Sequence, residues 1–383
     1  MKLNKNELKD HLIIIPLHLP FSFPSDYTYQ TGKVLAKHNK VVFFDYKYPV
    51  SWKSLFDFKK NRGSIIDLFQ KKRGWMYFRP LSIFPFQRIG YIYQANVLFG
   101  MIQLKIFLFF NKLPIITWIF NPNEESILEK FSEKISIYDC NDYYGDEKTL
   151  DLIDSEKSLM DRVDHIIFNS KELMQKKISE YPEIKNKSNS VVCGCNTALF
   201  QKKIPKNDVN QTNVLLIGQL NYRIDFSLLF YLINKNPKFN FIIIGPIYEE
   251  NVQDFQKIIK LPNVKYLGEK NKADIPTYLH RSHIGIIPYN VSFRSAKYCN
   301  PMKAYEYMAS GLPVVSTSIT PLEHYPKEIV YTTDNKEKFN QAMTRLIKNW
   351  NNKKRKIAKS IAKKNSWENK IGLIEKVINK VSL

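Results

Sequence analysis

The chain has 383 residues, 44% of them hydrophobic and 25% charged. This balance excludes a disordered polymer, and the length allows two domains, each with its own core. The formal charge of +22 favours polyanionic partners such as nucleotides, phospholipid head groups or nucleic acid, without choosing among them.

In chain order, the start (1–11) is polar and lysine-rich, and the apolar run after it (12–17) is too short for a signal-peptide core. A cytoplasmic location is therefore expected. Residues 12–16 and 41–45 read as strands around a helix over 27–38. The longest apolar stretch, 91–120, is interrupted by Gln94, Asn96, Gln103, Lys105, Asn111 and Lys112, and Pro114 ends its first part. A spanning helix is not expected there. The pattern predicts a buried helix over 93–110 and a core strand over 115–120. Further strands are predicted at 135–138, 165–169 and 190–193.

Residues 201–213 are polar and read as a linker. Strands follow at 213–217, 240–244, 264–266, 284–287, 313–316 and 328–331. Helices fit between them at 226–235, 251–260, 275–281 and 301–310. From about 336 onward the pattern is amphipathic and basic. Residues 351–383 carry 10 Lys/Arg against 2 Asp/Glu.

Short β-branched strands alternating with helices predict parallel sheets built from right-handed βαβ units. The expected fold class is α/β: two Rossmann-like doubly wound domains facing across a cleft. The expected division is 1–204, 205–350, and C-terminal helices over 351–383 that pack back towards the first domain. Ligands on such sheets bind at the carboxyl ends of strands, so residues just after strands matter most.

Four cysteines, Cys140, Cys193, Cys195 and Cys299, are too few for a disulfide framework and form no Cys-x-x-Cys pair. Cys193-Gly194-Cys195 has no His nearby to complete a metal site. It reads as a strand-to-loop turn.

The most informative stretch is Cys299-Asn300-Pro301-Met302-Lys303-Ala304-Tyr305-Glu306-Tyr307-Met308-Ala309-Ser310-Gly311-Leu312-Pro313. Pro301 suits the start of a helix and Gly311 its C-terminal cap. Lys303 and Glu306, three apart, share a face. A helix start opening on a cleft offers free N–H groups and positive partial charge to an anion. Lys303 extends such a site towards a diphosphate, and Glu306 can accept from vicinal sugar hydroxyls. The bland alternative is a solvated Lys–Glu pair worth a few tenths of a kcal/mol.

This stretch resembles the donor-binding helix of GT-B glycosyltransferases. The resemblance is to bacterial cell-surface polysaccharide enzymes, the GT4-like and GumK-like groups that include teichuronic-acid-type transferases. It implies that Glu306 binds the donor's ribose and that the basic residue near the helix start faces the diphosphate, with Asn300 and Pro301 at the same helix entry. Many retaining members carry a Glu eight residues before the ribose Glu, and here that place is Tyr298. The segment 214–225 is similar to the family's first donor-domain strand and loop. Gly218 permits the close turn, Arg223 is a phosphate ligand candidate, and Asp225 either holds Arg223 or caps the next helix. By the same resemblance the turn Leu267-Gly268-Glu269 holds the nucleobase largely by backbone groups, and Tyr289 lies in a loop near the donor. The segment Tyr138-Asp139-Cys140-Asn141-Asp142 resembles the family's acceptor-domain element. Asp142 is then the general base candidate of an inverting transfer, with helix capping as the alternative.

No Asp-x-Asp, Gly-Lys-Ser/Thr or His-Glu-x-x-His motif occurs, so a metal-independent transfer without a bound cofactor is expected. The donor expected is a nucleotide-sugar, a UDP-sugar by prior, and the acceptor is lipid-linked or a polysaccharide. A nucleotide-sugar 2-epimerase shares the architecture and is the rival enzyme. A nucleic-acid-binding protein is the rival of another class. No recognisable module supports it, and no nucleic-acid partner is expected. Between Lys53 and Arg79 eight Lys/Arg stand against two acids, interleaved with Trp52, Phe56, Phe58, Phe69, Trp75, Tyr77 and Phe78. That mixture predicts contact with an anionic membrane surface, at the inner face of the cell membrane.

Overall fold

The computed structural model describes residues 9–17, 27–47, 49–51, 69–72, 74–82, 90–192, 194–201, 211–248 and 251–381. The first half runs β1 (Leu12–Pro16), α1 (Tyr27–Leu35), β2 (Lys40–Phe44), β3 (Val50–Ser51), β4 (Phe69–Lys72), β5 (Trp75–Phe78), β6 (Leu81–Ser82) and α2 (Gly90–Phe107). It continues with β7 (Ile115–Ile119), β8 (Ile135–Cys140), α3 (Ile153–Arg162), β9 (His165–Phe168), α4 (Lys171–Glu180), β10 (Ser188–Ser190) and α5 (Thr197–Phe200). Seven of these strands form a parallel sheet in the order β10-β9-β8-β7-β1-β2-β5, and β4 adds an antiparallel edge to β5.

The second half runs β11 (Thr212–Ile217), α6 (Phe226–Lys235), β12 (Phe239–Ile244), α7 (Val252–Ile259), β13 (Val264–Tyr266), α8 (Ile275–His280) and β14 (Ile284–Ile287). Then come α9 (Arg294–Lys297), α10 (Met302–Ala309), β15 (Val314–Ser316), β16 (Val330–Thr332), α11 (Lys336–Lys348), α12 (Asn352–Lys364) and α13 (Trp367–Val381). Its strands form a parallel sheet in the order β13-β12-β11-β14-β15-β16. In both sheets the strand order reverses beside the first strand, β1 or β11, which is where doubly wound sheets open a crevice for ligands.

Burial explains the strands. Every residue of β1 and of β14 is buried, as the continuous apolar runs of a sheet covered on both faces require. One apolar cluster joins Ile15, Phe43 and Trp118 of the first sheet to Ile287, Tyr305 and Tyr307 of the second half. It continues into Ala362, Trp367 and Ile374 of the last helices. Of those helices, α12 packs on α10 and α13 packs on α1. The chain crosses between the halves at Asn365, whose carbonyl accepts from the Cys195 N–H at 2.9 Å. Lys370 on α13 is buried against Asp139 of β8 at 3.1 Å and donates to Tyr27 of α1. Lys37 meets Glu368 at 2.7 Å on the surface above them.

Two expectations fail. The apolar helix expected to be buried over 93–110 is α2, and only its Asn96, Gly100, Met101 and Leu104 are buried. One stripe packs over β2 and β5, and the opposite stripe faces solvent. Its few polar residues, Gln94, Asn96, Gln103 and Lys105, fall on opposite sides of the helix, so periodicity could not show that only one side has a partner. The second correction concerns Trp75, Tyr77 and Phe78, read as facing lipid. They form β5 and are buried beside β2. Trp52, Phe56, Phe58, Cys193, the side chain of Phe69 and the linker residues 202–210 lie outside the described residues.

Candidate functional site

A cleft of about 420 Å³ opens between the two sheets at the carboxyl ends of β8, β9, β11, β12 and β14. Its second-half wall is built from two glycine turns. Gly218 ends β11 with φ +129°, and a Cβ there would lie 2.4 Å from Lys303 Nζ. Gly245 ends β12 with φ +142°, and its Cβ would strike Gly218 O at 1.9 Å. Only glycine adopts these torsions without strain and leaves the room. The space is used by Lys303, whose ammonium reaches back from the first turn of α10 over the Tyr289 ring, 4.8 Å from its centroid.

Glu306, one turn further along α10, is buried and pairs with Lys272 from the loop after β13. Lys272 was not foreseen. Its neighbours Glu269 and Lys270 also line the cleft, whereas Leu267 and Gly268 do not. The Leu267 N–H donates to Ile243 O, and Gly268 O accepts from Gly245 N–H, both at 2.9 Å. Pro301 sits at the cap of α10 and lines the cleft. Asn300 also lines it, but its side chain is fully engaged. The amide donates to Asn169 O across the halves at 2.7 Å, and the carbonyl accepts from Tyr305 Oη at 2.7 Å.

Arg223 projects from the loop after β11, and its Nη2 donates to Asp142 Oδ2 at 2.7 Å. Both side chains are about three-quarters covered. Burial disfavours the guanidinium charge, but Asp142 and Tyr222 outweigh it and hold Arg223 well above its ordinary pKa. Asp142 caps no helix, so the capping alternative falls. The other oxygen, Asp142 Oδ1, is buried without a hydrogen-bond partner. Asp225 caps α6 instead of holding Arg223, accepting from Leu228 N at 2.8 Å.

The loop that carries Asp142 is fastened at two points just beyond it. Asp146 accepts from the backbone N–H groups of Arg294 (2.9 Å) and Ser295 (2.6 Å), the start of α9. The buried Lys177 of α4 donates to Tyr144 O at 3.0 Å and lies 4.5 Å from the Tyr143 ring centroid. Tyr298, at the place of the second family Glu, packs its ring on Tyr143 at 5.9 Å. Asp146 stands out in the sequence as a carboxylate after a strand, but the fastening by Asp146 and Lys177 was not legible, because their partners lie 148 and 33 residues away. Cys299 lines the cleft, but burial pushes its thiol up to about 12, which leaves almost no thiolate near neutrality.

The convergence of Arg223, Lys303 and Lys272 at strand ends and a helix start is suited to a diphosphate. Residues 211–349 match the family of glycosyl transferases group 1. The chain carries a group 1 glycosyl transferase domain. It is similar to Bacillus subtilis (strain 168) TuaH, whose name assigns it provisionally to teichuronic acid biosynthesis as a glycosyltransferase. The two are 26% identical over 232 residues, 56% of this chain and 58% of that protein. The aligned part thus spans little more than half of that relative. Among solved structures, sucrose-phosphate synthase from Thermosynechococcus elongatus superposes with a TM-score of 0.72 at 14% identity. Anabaena HepE, solved in complex with UDP and glucose, gives 0.66 at 13%. Each superposition covers 97% of this chain and 99% of the other. The fold is that of the GT-B glycosyltransferases.

Proposed function

We propose that the protein is a glycosyltransferase that moves a sugar from a nucleotide-sugar, a UDP-sugar, to a lipid-linked or polysaccharide acceptor in cell-surface glycan synthesis. The observation that carries this is the cluster of Arg223, Lys303 and Lys272 around the Gly218 turn, beside the buried Glu306. In this reading the diphosphate lies over the Gly218 turn, with Lys303 and Arg223 on its oxygens. Glu306 accepts from the ribose hydroxyls, and Lys272 holds its carboxylate in place. The UDP bound by the HepE neighbour supports the choice of donor.

The ion pair between Arg223 and Asp142 gives the transfer an order. A diphosphate draws Arg223 away, and Asp142 is left free to accept the proton of an acceptor hydroxyl. The acceptor oxygen bonds to the sugar's anomeric carbon as the bond from that carbon to the diphosphate oxygen breaks. The leaving UDP keeps the electron pair, and the fixed cations meet its charge without a metal. One-step displacement inverts the anomeric carbon.

A thermal-shift panel of nucleoside diphosphates and their sugars tests the donor assignment. UDP and a UDP-sugar stabilise by about 2.7 kcal/mol at a hundredfold excess over Kd. A folded protein that no nucleoside diphosphate stabilises contradicts it.

A further inference from the structure

The exposed side of α2 is built unlike the rest of the surface. Tyr91, Leu98, Ile102 and Ile106 recur at intervals of seven, four and four residues, which places them on one helical face. Phe109 and Phe110, just past the helix end, extend the stripe. Ile106 is 69% exposed, Phe109 78% and Phe110 88%. The two phenylalanines pack edge-to-face on each other at 5.2 Å, so they stand out together. The opposite stripe, with Met101 and Leu104, is seated in the apolar cluster of Phe44 and Phe78. The helix is therefore held by the protein on one side and presents on the other an apolar stripe from Leu98 to Ile106, with Tyr91 two turns before it. A contiguous ridge of this kind marks a docking surface, whereas single exposed apolar residues do not.

Charge decides the occupant. From Leu68 to Asn123 the sequence has seven Lys/Arg and no Asp or Glu. Lys105 and Lys112 are exposed beside the ridge. A second copy of this chain would bring two such positive faces together. An anionic bilayer offers hydrocarbon to the ridge and negative head groups to the lysines. No helix among the described residues is long and apolar enough to cross a membrane, so α2 lies on the surface and does not span it.

We infer that the outer face of α2, with the Phe109-Phe110 tip, is the docking surface for an anionic lipid bilayer. This deepens the reading of the acceptor as membrane-borne, and its test does not depend on catalysis.

The full chain is sedimented with phosphatidylcholine vesicles, with and without one-third phosphatidylglycerol. Wild type binds the anionic vesicles at low salt and is released by high salt. The triple variant Ile106→Ser/Phe109→Ser/Phe110→Ser binds on the order of tenfold or more weakly. The double variant Lys105→Gln/Lys112→Gln binds several-fold more weakly at low salt, and its remaining binding is less sensitive to salt. All five side chains are exposed, so unchanged thermal unfolding and UDP titration show that the variants fold. A failed UDP titration in wild type rejects the donor assignment and leaves the vesicle result standing. Indifference of wild type to anionic vesicles overturns the lipid assignment. So does equal binding by the triple variant, or a wild-type dimer that the triple substitution dissolves and that ignores lipid.

Discussion

Arg223 of the second half and Asp142 of the first are joined by a 2.7 Å ion pair across the cleft. The two residues expected to do separate work, one on the phosphate and one on the acceptor, are therefore each other's partner. The pairing predicts opposite effects. Arg223→Ala weakens UDP binding by about 1.5–3 kcal/mol, the worth of a charge-assisted hydrogen bond. Asp142→Asn removes a competitor for the guanidinium and leaves UDP affinity equal or higher, while turnover falls on the order of 10²–10⁴. Titration calorimetry and initial rates measure both, and near-normal turnover removes Asp142 from the base role.

If Glu306 accepts from the donor's ribose as proposed, its loss is visible in the choice of nucleotide. Wild type is then expected to prefer UDP to 2′-deoxy-UDP. Glu306→Ala loses about 1.5–3 kcal/mol with UDP and binds the two nucleotides alike. A variant that keeps the preference shows that the ribose is read elsewhere.

Gly218→Ala forces a Cβ into a +129° torsion and against the Lys303 ammonium at 2.4 Å. The strained torsion alone costs about 1–3 kcal/mol of folding stability. Displacing Lys303 weakens UDP as well. Chemical denaturation and UDP titration check the two effects separately.

The buried Lys370–Asp139 pair fastens α13 to the first half. Lys370→Met leaves the Asp139 carboxylate buried without its cation and costs about 3–5 kcal/mol at neutral pH. Burial holds Lys370 well below the usual ammonium range and Asp139 well above the usual carboxylate range. The folded pKa of Asp139 then exceeds its unfolded one, so its contribution is full below the unfolded value and is lost as pH rises through the folded value. The Lys370→Met variant is therefore less destabilised relative to wild type in mild acid than at neutral pH, in parallel denaturant titrations. Lys370→Met/Asp139→Asn recovers much of the loss.

Much of the fold was legible because it rests on local signals. Apolar runs such as 284–287 bounded by polar turns gave strands, and Pro301 with Gly311 bracketed α10. Lys303 and Glu306 were legible for the same reason, since a helix start and a three-residue spacing are local. Partnership across the cleft was not. Nothing near Arg223 in sequence announces Asp142, and nothing near Glu306 announces Lys272, 34 residues earlier. Exposure was hidden too. The stretch 91–110 has no polar face of its own, because its polar residues are split between opposite sides, so only the packed sheet shows which stripe is covered, and Trp75-Met76-Tyr77-Phe78 became core once it paired with β2.

The most direct test of sugar transfer supplies the purified chain with radiolabelled UDP-sugars and a membrane extract containing lipid-linked and polymeric acceptors. Label from one UDP-sugar is expected to enter the lipid or polymer fraction, with an equal amount of UDP released and the anomeric carbon inverted. Both signals fall in Arg223→Ala, and transfer falls in Asp142→Asn while donor binding remains. Label incorporated with retained configuration would contradict the role of Asp142, and a folded chain that neither binds UDP nor transfers any labelled sugar would contradict the account as a whole.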